Sequence, residues 1–130
     1  MKARILIIED NPENFYLMRY LLESYEYEVH GAETGLSGLE MAPRLLPDCI
    51  LLDIQLPEMD GYEVARSLRA NRLLDHIPII AVTSYAMQGD KERALASGAN
   101  AYIEKPINPE RFVGDVEHYI GIFKEKRGTL

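Results

Sequence analysis

The stretch Pro47-Asp48-Cys49-Ile50-Leu51-Leu52-Asp53-Ile54-Gln55-Leu56-Pro57-Glu58-Met59-Asp60-Gly61 decides how this chain is built. Its first half is a short, unbroken apolar run, Cys49 to Leu52, closed by the carboxylate of Asp53. Such a run fits a strand buried on both faces, the situation of a parallel sheet covered by helices. The second half is rich in Pro, Gly and Asp and reads as a turn. Beyond it, Val64, Ala65 and Leu68 recur at helical spacing.

The same alternation extends in both directions. Upstream, Ile5-Leu6-Ile7-Ile8 is a second continuous apolar run. Asn11 is placed to cap a helix beginning at Pro12, where the missing N–H costs nothing. Phe15, Met18, Leu22 and Tyr25 mark that helix's apolar face. A weaker, more polar strand around Glu28-Val29-His30 suits a sheet edge. The next helix, roughly Leu36 to Leu45, contains Pro43, which in a helix interior costs about 3 kcal/mol, so a kink or early end is expected there.

Downstream, Ile79-Ile80-Ala81-Val82 follows Pro78. A helix around Lys91 to Ser97 stops at Gly98. A brief last strand, Ala101-Tyr102-Ile103, leads to a final helix with Phe112, Val116, Tyr119, Ile120 and Phe123 along one side. Five β-α units in succession predict an α/β fold, a doubly wound five-stranded parallel sheet with helices on both faces.

The chain has 130 residues, enough for one domain with one core. A net charge of −7, from 14 basic and 21 acidic residues, argues against a general nucleic-acid binder, though not against a small basic patch. The lone cysteine, Cys49, allows no internal disulfide and reads as a buried, inert thiol. No apolar stretch approaches the ~20 residues of a membrane span, and Met1-Lys2-Ala3-Arg4 does not open a signal peptide. The expected location is the cytoplasm. Residues 1–125 are read as the domain and 126–130 as a short C-terminal tail.

In an open parallel sheet, ligands bind beyond the carboxyl ends of the strands. The residues there are Glu9 and Asp10 after the first apolar run, Asp53 after the third, Thr83 after the fourth and Lys105 after the last. Each alone is ordinary: acids after strands often cap helices, and a lysine near a turn usually faces solvent. Together they place three carboxylates, a hydroxyl and an ammonium at one edge. Two like charges about 4 Å apart repel by roughly 4 kcal/mol at an effective dielectric near 20, so the cluster needs compensation. Lys105 supplies one positive charge. A hard divalent cation such as magnesium, which prefers oxygen ligands and keeps room for water or phosphate, would supply two more.

The segments Ile8-Glu9-Asp10-Asn11, Pro47 to Gly61, Val82-Thr83-Ser84 and Glu104-Lys105-Pro106 resemble the receiver domains of two-component response regulators, the CheY-like superfamily. The resemblance runs from about Ala3 to Phe123. The stretch from Asp75-His76-Ile77-Pro78 to Lys105-Pro106-Ile107 is most similar to single-domain receivers of the DivK cell-polarity type. The resemblance implies a flavodoxin-like (βα)5 sheet in the order 2-1-3-4-5.

It further implies that Asp53 is the phosphoacceptor. Asp10 and Asp53 would hold Mg2+, Glu9 would do so directly or through water, and Gln55 would add its backbone carbonyl. Thr83 would hydrogen-bond the phosphoryl group, Lys105 would pair with it, and Pro106 would follow a cis peptide bond.

The implied donor is a phosphohistidine of a sensor histidine kinase or a histidine phosphotransfer protein. His30, His76 and His118 are scattered through the chain, which fits an acceptor. Tyr102 would be an aromatic switch moving inward as Thr83 makes space; the plainer reading is a stationary core tyrosine. The output face would be the fourth helix, fifth strand and fifth helix, addressed to a downstream protein target and not to nucleic acid or membrane. A monomer and a phosphorylation-dependent dimer both remain open. Gln55 and Tyr85 would flank the path of attacking water, Tyr85 shielding the phosphate. The start at Met1 and the end soon after the last helix suggest a stand-alone protein over a piece of a hybrid kinase.

Three other readings compete. A phosphatase of the haloacid-dehalogenase type expects a second Asp two residues after the nucleophile, where this chain has Gln55. A flavin module needs a Ser/Thr/Gly-rich phosphate loop, where this chain has Glu9-Asp10-Asn11-Pro12-Glu13. A degenerate receiver would keep the fold only as a scaffold and fail to bind magnesium.

Overall fold

The computed structural model describes residues 3–84 and 89–128. Among them, five strands and five α-helices alternate: β1 (Arg4–Ile8), α1 (Pro12–Glu23), β2 (Glu28–Ala32), α2 (Gly35–Leu45), β3 (Cys49–Asp53), α3 (Gly61–Ala70), β4 (Ile79–Thr83), α4 (Asp90–Ala96), β5 (Ala101–Glu104) and α5 (Phe112–Gly128). A single 3-10 turn, Arg72–Leu74, which sequence periodicity does not reveal, joins α3 to β4. All neighbouring strands are parallel, in the order β2-β1-β3-β4-β5.

The continuous apolar runs are explained by two cores. Leu6, Ile8, Ile50, Leu52, Ile79 and Ala81 face one side, against Ala42 of α2, Val64 and Leu68 of α3 and Ala94 of α4. Ile5, Ile7, Leu51, Ile80 and Val82 face the other, against Met18 and Leu22 of α1 and Phe112 and Val116 of α5. Cys49 is fully buried in this second core, and burial raises its thiol well above the usual range.

Local signals explain most boundaries. The Asn11 side chain accepts the Asn14 N–H at 3.0 Å, with Pro12 at the first helical position. Helix α1 ends at Glu23, so Tyr25 lies past it and is 63% exposed instead of continuing the apolar face. Helix α2 runs through Pro43, which falls in its last turn, and stops at a left-handed Leu46. No early end occurs. Gly98 adopts φ +118, a conformation that suits glycine, between α4 and β5. Arg69 of α3 staples this corner, donating to the carbonyls of Gly98, Leu74 and Ile77 and to Asn100 Oδ1 at 2.8–3.2 Å.

Candidate phosphoacceptor and metal site

The sheet order reverses between β1 and β3, and the site opens at their carboxyl ends. Asp53 closes β3, beside Val82 of β4, and is 3% exposed. Glu9 follows β1 and is 2% exposed. Its neighbour Asp10 is exposed. One carboxylate oxygen from each of the three lies within 4.8 Å of the others.

Lys105, just beyond β5, extends its ammonium into this group, 2.8 Å from Glu9 Oε1 and 3.6 Å from Asp53 Oδ1. Its backbone N–H donates to the Thr83 carbonyl at 2.9 Å. Thr83 itself is fully buried at the end of β4. The Lys105–Pro106 peptide is cis. Tyr102 is half-buried on β5 and packs on the α3–α4 side of the sheet. Burial, and then the Glu104 and Asp90 carboxylates and Tyr62, raise its phenol above the ordinary range. Tyr85 lies outside the described residues.

Two neighbours hold the Asp53 side chain and the Ile54 backbone beside it. The Gln55 N–H donates to Asp53 Oδ1 at 2.9 Å. Gly61, the first residue of α3, donates its N–H to the Ile54 carbonyl at 3.1 Å. A Cβ on Gly61 would sit 2.4 Å from Ile54 Cα and 2.8 Å from the Asp53 carbonyl oxygen. Position 61 therefore has no room for any side chain, a constraint invisible in the Asp60-Gly61 turn signal. The Gln55 side chain reaches across to the end of β4. Its Oε1 accepts from the Ser84 N–H at 3.1 Å and from the Ser84 hydroxyl.

The site is prepared for a cation beyond Lys105. Glu9 Oε1 is buried without a hydrogen bond of good geometry, its ion-pair contact with Lys105 notwithstanding. The donor set is all oxygen, as magnesium prefers. Burial, with the hydrogen bond to Asp53 acting in the same direction and Lys105 opposing, pushes the Glu9 carboxyl up to about 7.

A pH dependence follows for the metal-free protein. Between the ordinary carboxyl value of 4.5 and about 7, the folded chain keeps a proton on Glu9 that the unfolded chain has released. Folding stability therefore falls as pH rises through that window and levels off above it. Urea unfolding with a chelator present, from pH 4.5 to 8, is expected to show this decline, and Glu9→Gln is expected to flatten it. A decline that persists in the variant would place its origin elsewhere.

The response regulator receiver domain family model matches residues 5–117. The chain belongs to this family. Polar-differentiation response regulators DivK of Brucella ovis and Brucella anthropi are each 46% identical to this receiver over 121 residues, covering 93% of it and 98% of each relative. Among solved structures, a CheY-like receiver from Methanospirillum hungatei superposes with a TM-score of 0.88 at 30% identity, over 97% of this receiver and 99% of that chain. The receiver domain of a sensor histidine kinase from Pseudomonas aeruginosa, with a magnesium ion coordinated in its active-site cleft, gives 0.84 at 36% identity, over 93% and 99%.

The chain is thus a DivK-like receiver of the two-component type, a signalling domain with the flavodoxin-like order anticipated from its motifs. No helix among the described residues is long and apolar enough to cross a membrane.

Proposed function

We propose that this receiver takes a phosphoryl group from a phosphohistidine onto Asp53, with magnesium bound, and signals through the surface formed by α4, β5 and α5. The observation that carries the reading is the buried Asp53 carboxylate grouped with the Lys105 ammonium, Glu9 and Asp10. The donor is a sensor histidine kinase or a histidine phosphotransfer protein. The only catalysis is the chain's own phosphorylation and dephosphorylation. The receiver unit spans residues 1–125.

Asp10, Asp53, the Gln55 carbonyl and Glu9, directly or through water, would hold the magnesium ion. When bound, it supplies positive charge for the carboxylates and for the phosphoryl oxygens. The rest falls to the chain. Transfer passes through a loose transition state, so positioning and charge neutralisation outweigh nucleophile strength. Oδ1 of Asp53 accepts the Gln55 N–H, which orients the carboxylate, and one of its oxygens attacks the phosphorus. The new O–P bond forms as the P–N bond to the donor imidazole breaks. Lys105 turns its ammonium from Glu9 towards the phosphoryl oxygens, and the Thr83 hydroxyl donates to one of them.

Drawing Thr83 towards the phosphate opens space into which Tyr102 moves, so the exposed face of β5 and its flanking helices changes. This needs two arrangements within a few kcal/mol of each other. The reader is a downstream protein, met by a monomer or by a dimer formed on phosphorylation.

Intact mass after incubation with acetyl phosphate tests the reading. The expected result is one added phosphoryl group in the wild type with magnesium, none with a chelator and none in Asp53→Asn. No gain in folded wild-type protein with magnesium would favour the scaffold reading.

A further inference from the structure

Helix α4 is attached to α3 differently at its two ends. At its carboxyl end the attachment is closed. Ser97 is 5% exposed, its hydroxyl accepts from Arg66 Nη1 of α3 at 3.4 Å, and the next residue, Gly98, gives its carbonyl to Arg69. Between Asp90 and Ala96, Ala94 alone is buried. At the amino end, Gly89 supplies no side-chain cap. Arg93 holds that half against α3. Helical side chains lean towards the amino end of their helix, and Arg93 reaches across to the start of α3. Its Nη2 lies 3.5 Å from Asp60 Oδ2, and its guanidinium sits 4.1 Å over the centre of the Tyr62 ring. Both partners border the Asp53 segment. Asp60 caps α3, its Oδ1 accepting the Tyr62 N–H at 2.9 Å, and Gly61 between them packs on the Asp53–Ile54 backbone. Tyr62 and Ala94 also belong to the core against which Tyr102 packs.

We propose that Arg93 is a positioning residue, a releasable clasp that holds the amino half of α4 on Asp60 and Tyr62 and must open when Asp53 takes the phosphoryl group. This rests on the reading of Asp53 as phosphoacceptor. The chain leaving Thr83 at the end of β4 leads into the clasped half of α4. Drawing Thr83 towards a phosphoryl group therefore pulls on that half, while Arg66 and Arg69 fix the other end, and the helix pivots. The contacts suit release. The Arg93 side chain is 60% exposed and that of Asp60 38%. Ion pairs so exposed and cation–π contacts at the surface are weak, and water solvates both charges when they part. A buried pair would instead leave uncompensated charge on opening. The clasp thus biases the switching equilibrium without touching the reacting atoms, and it ties α4 directly to the segment that carries Asp53.

The test uses fluoroberyllate, a non-hydrolysable phosphoryl mimic, with magnesium and the full chain. Its affinity is measured by titration, beside thermal unfolding of the unliganded protein. Arg93→Ala is expected to tighten fluoroberyllate binding about fivefold, the combined scale of one exposed ion pair and one surface cation–π contact, while lowering the melting temperature slightly. Arg93→Lys keeps the charge but not the planar group over Tyr62, and is expected to fall between wild type and alanine. Asp60→Asn keeps an oxygen to cap Tyr62 and removes the charge, and is expected to give part of the gain. In the Arg93→Ala background it is expected to add nothing. A purely architectural Arg93 gives a lower melting temperature with unchanged or weaker fluoroberyllate binding, and that result overturns the clasp. Fully additive gains from Arg93→Ala and Asp60→Asn overturn Asp60 as its partner. Wild-type protein that binds no fluoroberyllate overturns the phosphoacceptor reading itself, a failure distinct from wild-type binding without a gain in the alanine variant.

Discussion

Lys105→Met is expected to slow phosphoryl uptake from acetyl phosphate by about a hundredfold to a thousandfold, the usual loss when one preorganised charge donor is removed from a transition state. Methionine keeps much of the apolar stem and deletes the ammonium. In the wild type that ammonium lies 2.8 Å from Glu9 and 3.6 Å from Asp53, with only 11% of the side chain exposed. Its removal leaves the two buried carboxylates without their cation.

A second readout then moves the opposite way. Magnesium no longer competes with Lys105 for the same oxygens, so its binding is expected to tighten even as transfer slows. Metal-free Lys105→Met is expected to be destabilised, because breaking a buried ion pair leaves uncompensated charge, and added magnesium is expected to restore much of the loss. Titration calorimetry, unfolding with and without magnesium, and the time course of the mass gain check the three parts. Weakened magnesium binding together with slowed transfer would mean that Lys105 supports the shape of the site instead of its charge.

Gly61→Ala is expected to lower stability by about 3 kcal/mol, the upper part of the range for forcing extra volume into packed structure. It is also expected to cut phosphoryl uptake steeply. The new Cβ would meet Ile54 Cα at 2.4 Å, the Ile54 carbonyl oxygen at 2.6 Å and the Asp53 carbonyl oxygen at 2.8 Å. All three are backbone atoms, with no rotamer to relieve the overlap. Either α3 withdraws, exposing Tyr62, Val64 and Leu68, or the Asp53–Ile54 backbone shifts and carries the Asp53 carboxylate away from Lys105. Thermal unfolding reports the first consequence and the acetyl phosphate assay the second. An alanine variant with unchanged melting and uptake would show that the close approach is easily opened.

These two residues differ in how far they could be read in advance. Lys105 stands immediately after the last strand, where a parallel sheet delivers its ligand-facing groups. Its membership of the site follows from the order of apolar runs. Gly61 reads as a turn residue before a helix, and turn glycines commonly serve a special dihedral. Here the requirement is space against Asp53 and Ile54, which depends on where α3 returns to the sheet. Pro43, a breaker by composition, is carried in the last turn of α2 two residues before the helix ends, where its missing N–H forgoes one bond to the carbonyl four residues back.

The amino-acid sequence by itself determined the alternation of strand and helix, the parallel sheet, and the arrival of Glu9, Asp10, Asp53, Thr83 and Lys105 at one edge. Those features depend on local pattern: apolar runs with no polar alternation, caps such as Asn11-Pro12, and polar residues directly after each run. Only the tertiary structure decided that Glu9 is buried while Asp10 beside it is exposed, that Lys105 lies nearer Glu9 than Asp53, and that Gln55 holds Ser84. Each of these turns on ångström-scale placement of backbone from different strands, set by the packing of the whole sheet against its helices, and no local spacing encodes it.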